Sequence, residues 1–150
     1  MIVEPKELPF VTILDGQKVG LTSGCFDLLH YYHLHYLTRC HALCDVLIVG
    51  VDSDDMVKKN KGSYPAVPEY HRVAMVAALR CVDVVFSLRN LDDLKKAGEK
   101  ADFLFKNEPT IYGNAIVGAE TAKLVIVEDV EEVQSTTALK TKIIENSKKK

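Results

Sequence analysis

The sequence predicts an α/β domain with an open, five-stranded, parallel sheet and helices on both of its faces. Three observations lead there. Short β-branched runs alternate with longer stretches whose apolar residues recur at helical spacing. The run Val46-Leu47-Ile48-Val49-Gly50-Val51 is apolar at successive rather than alternate positions, as a strand covered on both faces must be. The chain has 150 residues, 47% of them hydrophobic and 27% charged, which supplies one core, and no repeat or long linker divides it.

The elements follow in order. Residues 1–16 precede the first regular pattern and read as an N-terminal extension. Val19-Gly20-Leu21-Thr22 is the first strand. Between Leu29 and Leu43, the residues Leu29, Leu34, Leu37 and Leu43 fall at helical spacing. Val46–Val51 is the second strand. Asp52–Pro68 is polar and carries Gly62, Pro65 and Pro68, which predicts a loop holding at most one short helix. Val73–Leu79 is Ala-rich and helical, and Val82–Ser87 is the third strand. Leu91–Lys100 is a short helix closed near Gly98, and Phe103–Phe105 is the fourth strand. Ala115–Ala122 is a weak helix, Leu124–Val127 the fifth strand and Thr136–Asn146 the last helix. Residues 147–150 end in three lysines and read as a frayed tail.

Composition narrows the function. A formal net charge of −2 argues against a general polyanion binder. No apolar run reaches the roughly 18 to 20 residues of a membrane helix. Glu4, Lys6 and Glu7 fit no signal peptide, so a cytoplasmic protein with reduced thiols is expected. Cys40 and Cys44 lie four apart on one helix face with His41 between them. A zinc site needs a second ligand pair, which is missing, so these cysteines read as core.

In a parallel sheet, ligands bind beyond the carboxyl ends of the strands, near the reversal of strand order. The stretch after the first strand, Thr22-Ser23-Gly24-Cys25-Phe26-Asp27-Leu28-Leu29-His30-Tyr31-Tyr32-His33, lies at such an end. His30 and His33, three apart, share a helix face in the first turn. Unpaired backbone N–H groups and the positive dipole end favour an anion there, and Gly24 lets backbone approach it. Two imidazoles in that place suit phosphate oxygens and a charged transition state. The alternatives are a pair of ordinary histidines, or a zinc module drawing also on His35 and His41.

The run GCFDLLHxxH, followed by a buried strand ending VGVDSD, resembles the cytidylyltransferase-like nucleotidyltransferases, the family marked by HxGH near the N-terminus. Within it the pattern is nearest to the ADP-heptose synthase group and the glycerol-3-phosphate cytidylyltransferase group. The similarity runs from about Val19 to the last helix and is strongest between Leu21 and Arg72. The resemblance implies a single Rossmann-like domain. It also implies transfer of a nucleotidyl group from ATP or CTP to a sugar- or polyol-phosphate, with release of pyrophosphate. It assigns His30 and His33 to the triphosphate and its transition state, and Lys61 to a phosphate. Ser23, Gly24, Cys25, Phe26 and Arg72 become nucleotide-binding positions, with Ser135, Thr136 and Thr137 at the start of the last helix. Mg²⁺ would come bound through the nucleotide, and a homodimer is implied.

Each assignment has a plainer counterpart. Lys58, Lys59 and Lys61 also read as a solvated surface, Arg72 as a core-lining salt bridge, and Ser135 as a helix cap worth about 1 kcal/mol. The chain departs from the pattern at Tyr32, which occupies the place of the motif glycine and would either block the nucleotide or stack on it. It departs again at Lys106-Asn107-Glu108-Pro109, where relatives carry a glycine-rich turn with an aspartate, and at Val133. Tyr32 motivates the alternative function of a nucleotide-binding protein with impaired turnover.

Overall fold

The computed structural model describes residues 1–107, 120–128 and 136–148. Six strands form one parallel sheet: β1 (Ile2–Val3), β2 (Val19–Gly24), β3 (Val46–Asp52), β4 (Val84–Leu88), β5 (Phe103–Lys106) and β6 (Lys123–Ile126). Their spatial order is β1-β4-β3-β2-β5-β6. The expected strand count of five is thus corrected to six. The added strand lies in the N-terminal extension and is two residues long, too short to show a period. Tertiary pairing defines it: Ile2 sits opposite Val85 and Val3 opposite Phe86, and the Met1 amino group donates to the Asp83 carbonyl at 2.6 Å.

The central strands are the ones the apolar runs mark. In β3, Leu47, Ile48, Val49 and Val51 are fully buried. Successive side chains leave on opposite faces. Ile48 therefore joins Leu21, Phe86, Leu94 and Leu104, a core closed by a 3-10 helix (Pro5–Phe10) and α4 (Leu91–Gly98). Leu47, Val49 and Val51 join Leu37, Val73, Val76 and Phe105, beneath α1 (Tyr31–His41) and α3 (Glu69–Ala77). Cys40 and Cys81 are buried in this second core. Burial pushes the Cys40 thiol up to about 12 and that of Cys44 to about 11, so both stay protonated packing groups.

Several boundaries move for local reasons. The polar segment, expected as a loop with room for one short helix, opens with such a helix, α2 (Asp54–Lys61), capped by Ser53, whose Oγ accepts from Met56 N–H at 3.2 Å. Gly62 ends it with φ +81°, the left-handed turn that glycine allows. Lys58, Lys59 and Lys61 thus stand on the last turns of a helix rather than in a loop. Helix α3 begins at Glu69, so Arg72 is in its first full turn rather than at its start. The last helix, α5, spans Thr136–Ser147. The weak helix expected over 115–122 lies largely outside the described residues, as do Ser135, Val133 and Glu108-Pro109. Where that expectation can be checked, 120–122 are turn and bend.

Candidate active site

Strand order reverses between β2 and β5. From β2 the chain adds β3 and then β4 on one side, and returns to place β5 on the other. The carboxyl ends of β2 and β5, Gly24 and Lys106, therefore flank the switch point. A cavity of about 570 Å³ opens there. Ser23, Gly24 and Cys25 form one wall, Asp52 and Lys106 come from the ends of β3 and β5, and Lys59, Asn60 and Lys61 come from α2. Ser23, Gly24, Cys25 and Lys61, four of the expected site residues, thus share one space. A second, mostly apolar cleft of about 360 Å³ contains Phe26, His30 and Arg72, with Leu139 and Ile143 of α5 on its far side. The 23–30 turn is the seam between the two spaces.

The turn is built under strain. Phe26 has φ +50° and Leu28 φ +46°, left-handed values that cost a non-glycine residue free energy. Asp27 between them holds the turn in place. Its carboxylate accepts from the N–H groups of Ala66 and Val67, each at 2.9 Å, and from Lys140 Nζ at 2.6 Å. Its carbonyl accepts from Thr136 Oγ1 at 2.9 Å. Burial alone would raise the carboxyl pKa, but Lys140 and the two backbone donors together hold it below its usual range. One buried aspartate thereby ties the loop before α3 and the start of α5 to the histidine turn. A lone aspartate within a motif offered no sign of this, because its partners lie far along the chain.

His30 is the N-cap residue of α1, with extended backbone, and His33 is two residues inside the helix. The His30 N–H donates to His33 Nδ1 at 3.4 Å, and the ring centroids are 4.1 Å apart. The shared face expected from the spacing is present. Both ring nitrogens of His30 are shielded from solvent and have no hydrogen-bond partner among the described residues. Burial lowers the His30 pKa, so the imidazole is neutral at neutral pH. Tyr32 is half-buried and sets its ring edge against His30 at 5.9 Å.

Arg72 is 1% exposed. Its Nε donates to the Val67 carbonyl at 2.9 Å, and Nη1 to the carbonyls of Cys25 and Asp52 at 2.6 and 2.8 Å. Nη2 pairs with Asp54 Oδ1 at 2.6 Å. The guanidinium is thus engaged by protein on every nitrogen. Of the two readings open for this residue, the geometry is that of the core-lining salt bridge, bolting the ends of β2 and β3 to the loop before α3.

Sequence reading gave Asp52 no role and met Lys106 only in the run that departs from the family pattern. Lys106 Nζ lies 3.2 Å from Ser23 Oγ, and burial lowers its pKa while Asp52 opposes that shift. Burial raises the Asp52 pKa, and Lys106 and Lys61 oppose it. Each is the last residue of its strand, and that position in a parallel sheet was the available signal. Burial also raises the Cys25 thiol, against the fields of Lys61 and Arg72. Thr136 and Thr137 stand at the first two positions of α5. Among the described residues no group of three or more His, Cys, Asp or Glu side chains is placed to hold a metal ion, so the four histidines of α1 and its cap do not assemble a zinc site. No helix among the described residues is long and apolar enough to cross a membrane.

Comparison with known proteins agrees with this geometry. The model of the cytidylyltransferase-like family matches residues 21–146. The chain is 40% identical over 144 residues to a bifunctional protein HldE of Helicobacter pylori, covering 93% of this chain and 31% of that protein. It is 41% identical over 127 residues to the bifunctional protein HldE of a Nitratiruptor species, covering 83% of this chain and 27% of that one. The chain thus spans about a third of the length of these curated relatives. The crystal structure of a lipopolysaccharide core biosynthesis protein from Thermoplasma volcanium shares the fold. The TM-score is 0.67 at 24% identity, over 77% of this chain and 100% of that one. The histidine turn at the carboxyl end of β2, the cation-lined cavity beside it and the family match over 21–146 agree: the chain belongs to the cytidylyltransferase-like family and, with it, to the nucleotidyltransferases.

Proposed function

We propose that the chain transfers a nucleotidyl group from ATP or CTP to a sugar- or polyol-phosphate and releases pyrophosphate. The observation that carries this reading is the pair of imidazoles at the N-terminus of α1, 4.1 Å apart, beside the cation-lined cavity at the switch point. In the proposed reaction a phosphate oxygen of the acceptor attacks the α-phosphorus. The new P–O bond forms as the bond from the α-phosphorus to the bridging oxygen breaks, and pyrophosphate leaves with that electron pair. No covalent enzyme intermediate is needed, so the protein supplies position and charge.

His30 and His33 stabilise the negative charge that grows on the reacting phosphate. The ring nitrogens of His30, which have no hydrogen-bond partner among the described residues, are left to meet a phosphate oxygen. Lys61, exposed at the cavity mouth, attracts phosphate as a point charge. The backbone of Ser23, Gly24, Cys25 and Phe26 lines the approach, and Tyr32 stacks on the nucleotide. Thr137, with Ser135 before the helix, offers a hydroxyl to the triphosphate, and Thr136, whose hydroxyl donates to the Asp27 carbonyl, offers its helix N–H. With Arg72 spent on protein carbonyls, its part in nucleotide binding becomes one of positioning. Mg²⁺ is taken to arrive on the triphosphate, whose charge it neutralises. A cytoplasmic homodimer is the form proposed for the active protein.

The test is pyrophosphate release on mixing the protein with ATP or CTP, Mg²⁺ and a panel of sugar- and polyol-phosphates. Release with one pair, and its loss in His30→Ala, is the expected result. Folded protein that releases none with any pair overturns the reading. The position of Tyr32 against His30 favours a second reading, a nucleotide binder with impaired turnover. It predicts calorimetric nucleotide binding without pyrophosphate release, and turnover gained in Tyr32→Gly.

A further inference from the structure

Helix α5 buries none of its described residues completely, yet it forms one side of the cleft that contains His30. Thr136, Leu139, Lys140 and Ile143 recur at intervals of three and four, so they make one stripe along the helix. The stripe has two chemistries. Leu139 and Ile143 line the apolar cleft together with Phe26 and His30. Ile143 is 61% exposed, so burial by itself holds this face weakly. Thr136 Oγ1 and Lys140 Nζ both end on Asp27, the first on its carbonyl at 2.9 Å and the second on its carboxylate at 2.6 Å. Asp27 is buried and stands between the two left-handed residues of the histidine turn. These two bonds tie α5 to a single residue, three places before His30. The one from Lys140 is charge-assisted and is the stronger kind.

Without Lys140 Nζ, the Asp27 carboxylate still accepts from the N–H groups of Leu28, Ala66 and Val67. The turn keeps its own support, and what is released is the helix. The cleft then loses cover on the side where Leu139 and Ile143 stand. His30 depends on cover, since both of its ring nitrogens are shielded from solvent and burial lowers its pKa. Water admitted there hydrates the imidazole and weakens its field on a phosphate. The other groups that face His30 stay in place. They are His33 and Tyr32 on α1, with ring centroids at 4.1 and 5.9 Å, and Arg72 on α3, held by carbonyls and Asp54.

We infer that Lys140 is a positioning residue, which through Asp27 clamps α5 across the cleft and keeps His30 enclosed for its encounter with phosphate. The encounter with phosphate rests on the nucleotidyl-transfer reading, and the enclosure does not.

Nuclear magnetic resonance titration of the full chain, with labelled histidine, tests the clamp. The His30 signal is assigned by its loss in His30→Gln. In the wild type it should titrate below the ordinary 6.5. Lys140→Met, checked for native circular dichroism, should move it up toward 6.5. Removing a cation near His30 also raises its pKa by charge. Leu139→Ala alters no charge and should move His30 in the same direction. Lys142→Met, at an exposed position of the same helix, should move nothing. The inference is overturned if His30 is unmoved in Lys140→Met, if Leu139→Ala does not share the shift, or if Lys142→Met matches it. In turnover, Lys140→Met should lower kcat about tenfold or more, with the acceptor KM within about twofold. A moved titration with unchanged kcat overturns the positioning role. Wild type that releases no pyrophosphate sinks the transferase reading, and the titration then decides the clamp alone.

Discussion

Replacing Arg72 with methionine keeps most of the side chain's volume and removes all four of its hydrogen bonds. Three of the acceptors are backbone carbonyls, of Val67, Cys25 and Asp52. The fourth, Asp54, has a side chain 37% exposed and can regain water. The loss therefore falls on the carbonyls, at about 1 to 3 kcal/mol for each that stays dry. Three carbonyls near the lower end of that range total about 4 kcal/mol. For a chain of 150 residues that corresponds to a Tm lower by about 8 to 16 °C. Arg72→Lys should recover less than half, since one ammonium cannot reach donors spread over a planar fork. Urea unfolding followed by circular dichroism, with and without nucleotide, gives both numbers. A loss below about 1 kcal/mol, joined to weaker nucleotide binding, would refute the bolt and restore Arg72 as a ligand contact.

Other outcomes follow from the same geometry. The His30 pKa lies below its ordinary value of 6.5 through burial, so below that pH the unfolded imidazole binds protons that the folded one resists. Stability should fall as pH drops through this range, and His30→Gln should flatten that slope in paired unfolding curves. If His30 works on the reacting phosphate, His30→Ala should lower pyrophosphate release by about 100-fold or more with little change in Tm. Lys140→Met leaves the Asp27 carboxylate with its backbone donors and loses a pair that is 40% exposed on the lysine side. A cost near 1 kcal/mol is expected after screening, with faster amide exchange confined to α5 as the local readout. Asp27 sits below its usual pKa, so its stabilisation is complete above the unfolded carboxyl range and disappears as pH falls through the folded pKa. Gly20→Ala would drive a Cβ into the Phe105 ring and to 2.8 Å from Cys44 Sγ. Overpacking at this central strand should cost about 1 to 3 kcal/mol in thermal unfolding.

What was legible in the sequence is what local pattern encodes. The successive apolar residues of β3 announce a strand buried on both faces, and the six-stranded sheet has it near the centre. The i, i+3 spacing of His30 and His33 places both rings on one side of a helix start, and they meet there. Both statements need only the geometry of one element. Helix α2 was less visible, because its mean character is polar and its end depends on the positive φ of Gly62.

Tertiary structure decided the rest, because the deciding contacts join residues far apart in the chain. Strand β1 exists through pairing with β4, with two strands, β2 and β3, between them in the chain, and its two residues carry no period of their own. Lys106 meets Ser23 across 83 positions, and Lys140 meets Asp27 across 113. Arg72 could face a ligand or the core on sequence grounds, and carbonyls at the ends of β2 and β3 chose the core. The sequence by itself determined the layers of the sheet and the histidine turn, since burial pattern and helix period are local. Which charged groups line the cavity and which are consumed in holding it open was settled only by folding, since desolvation and hydrogen-bond partners are properties of the assembled site.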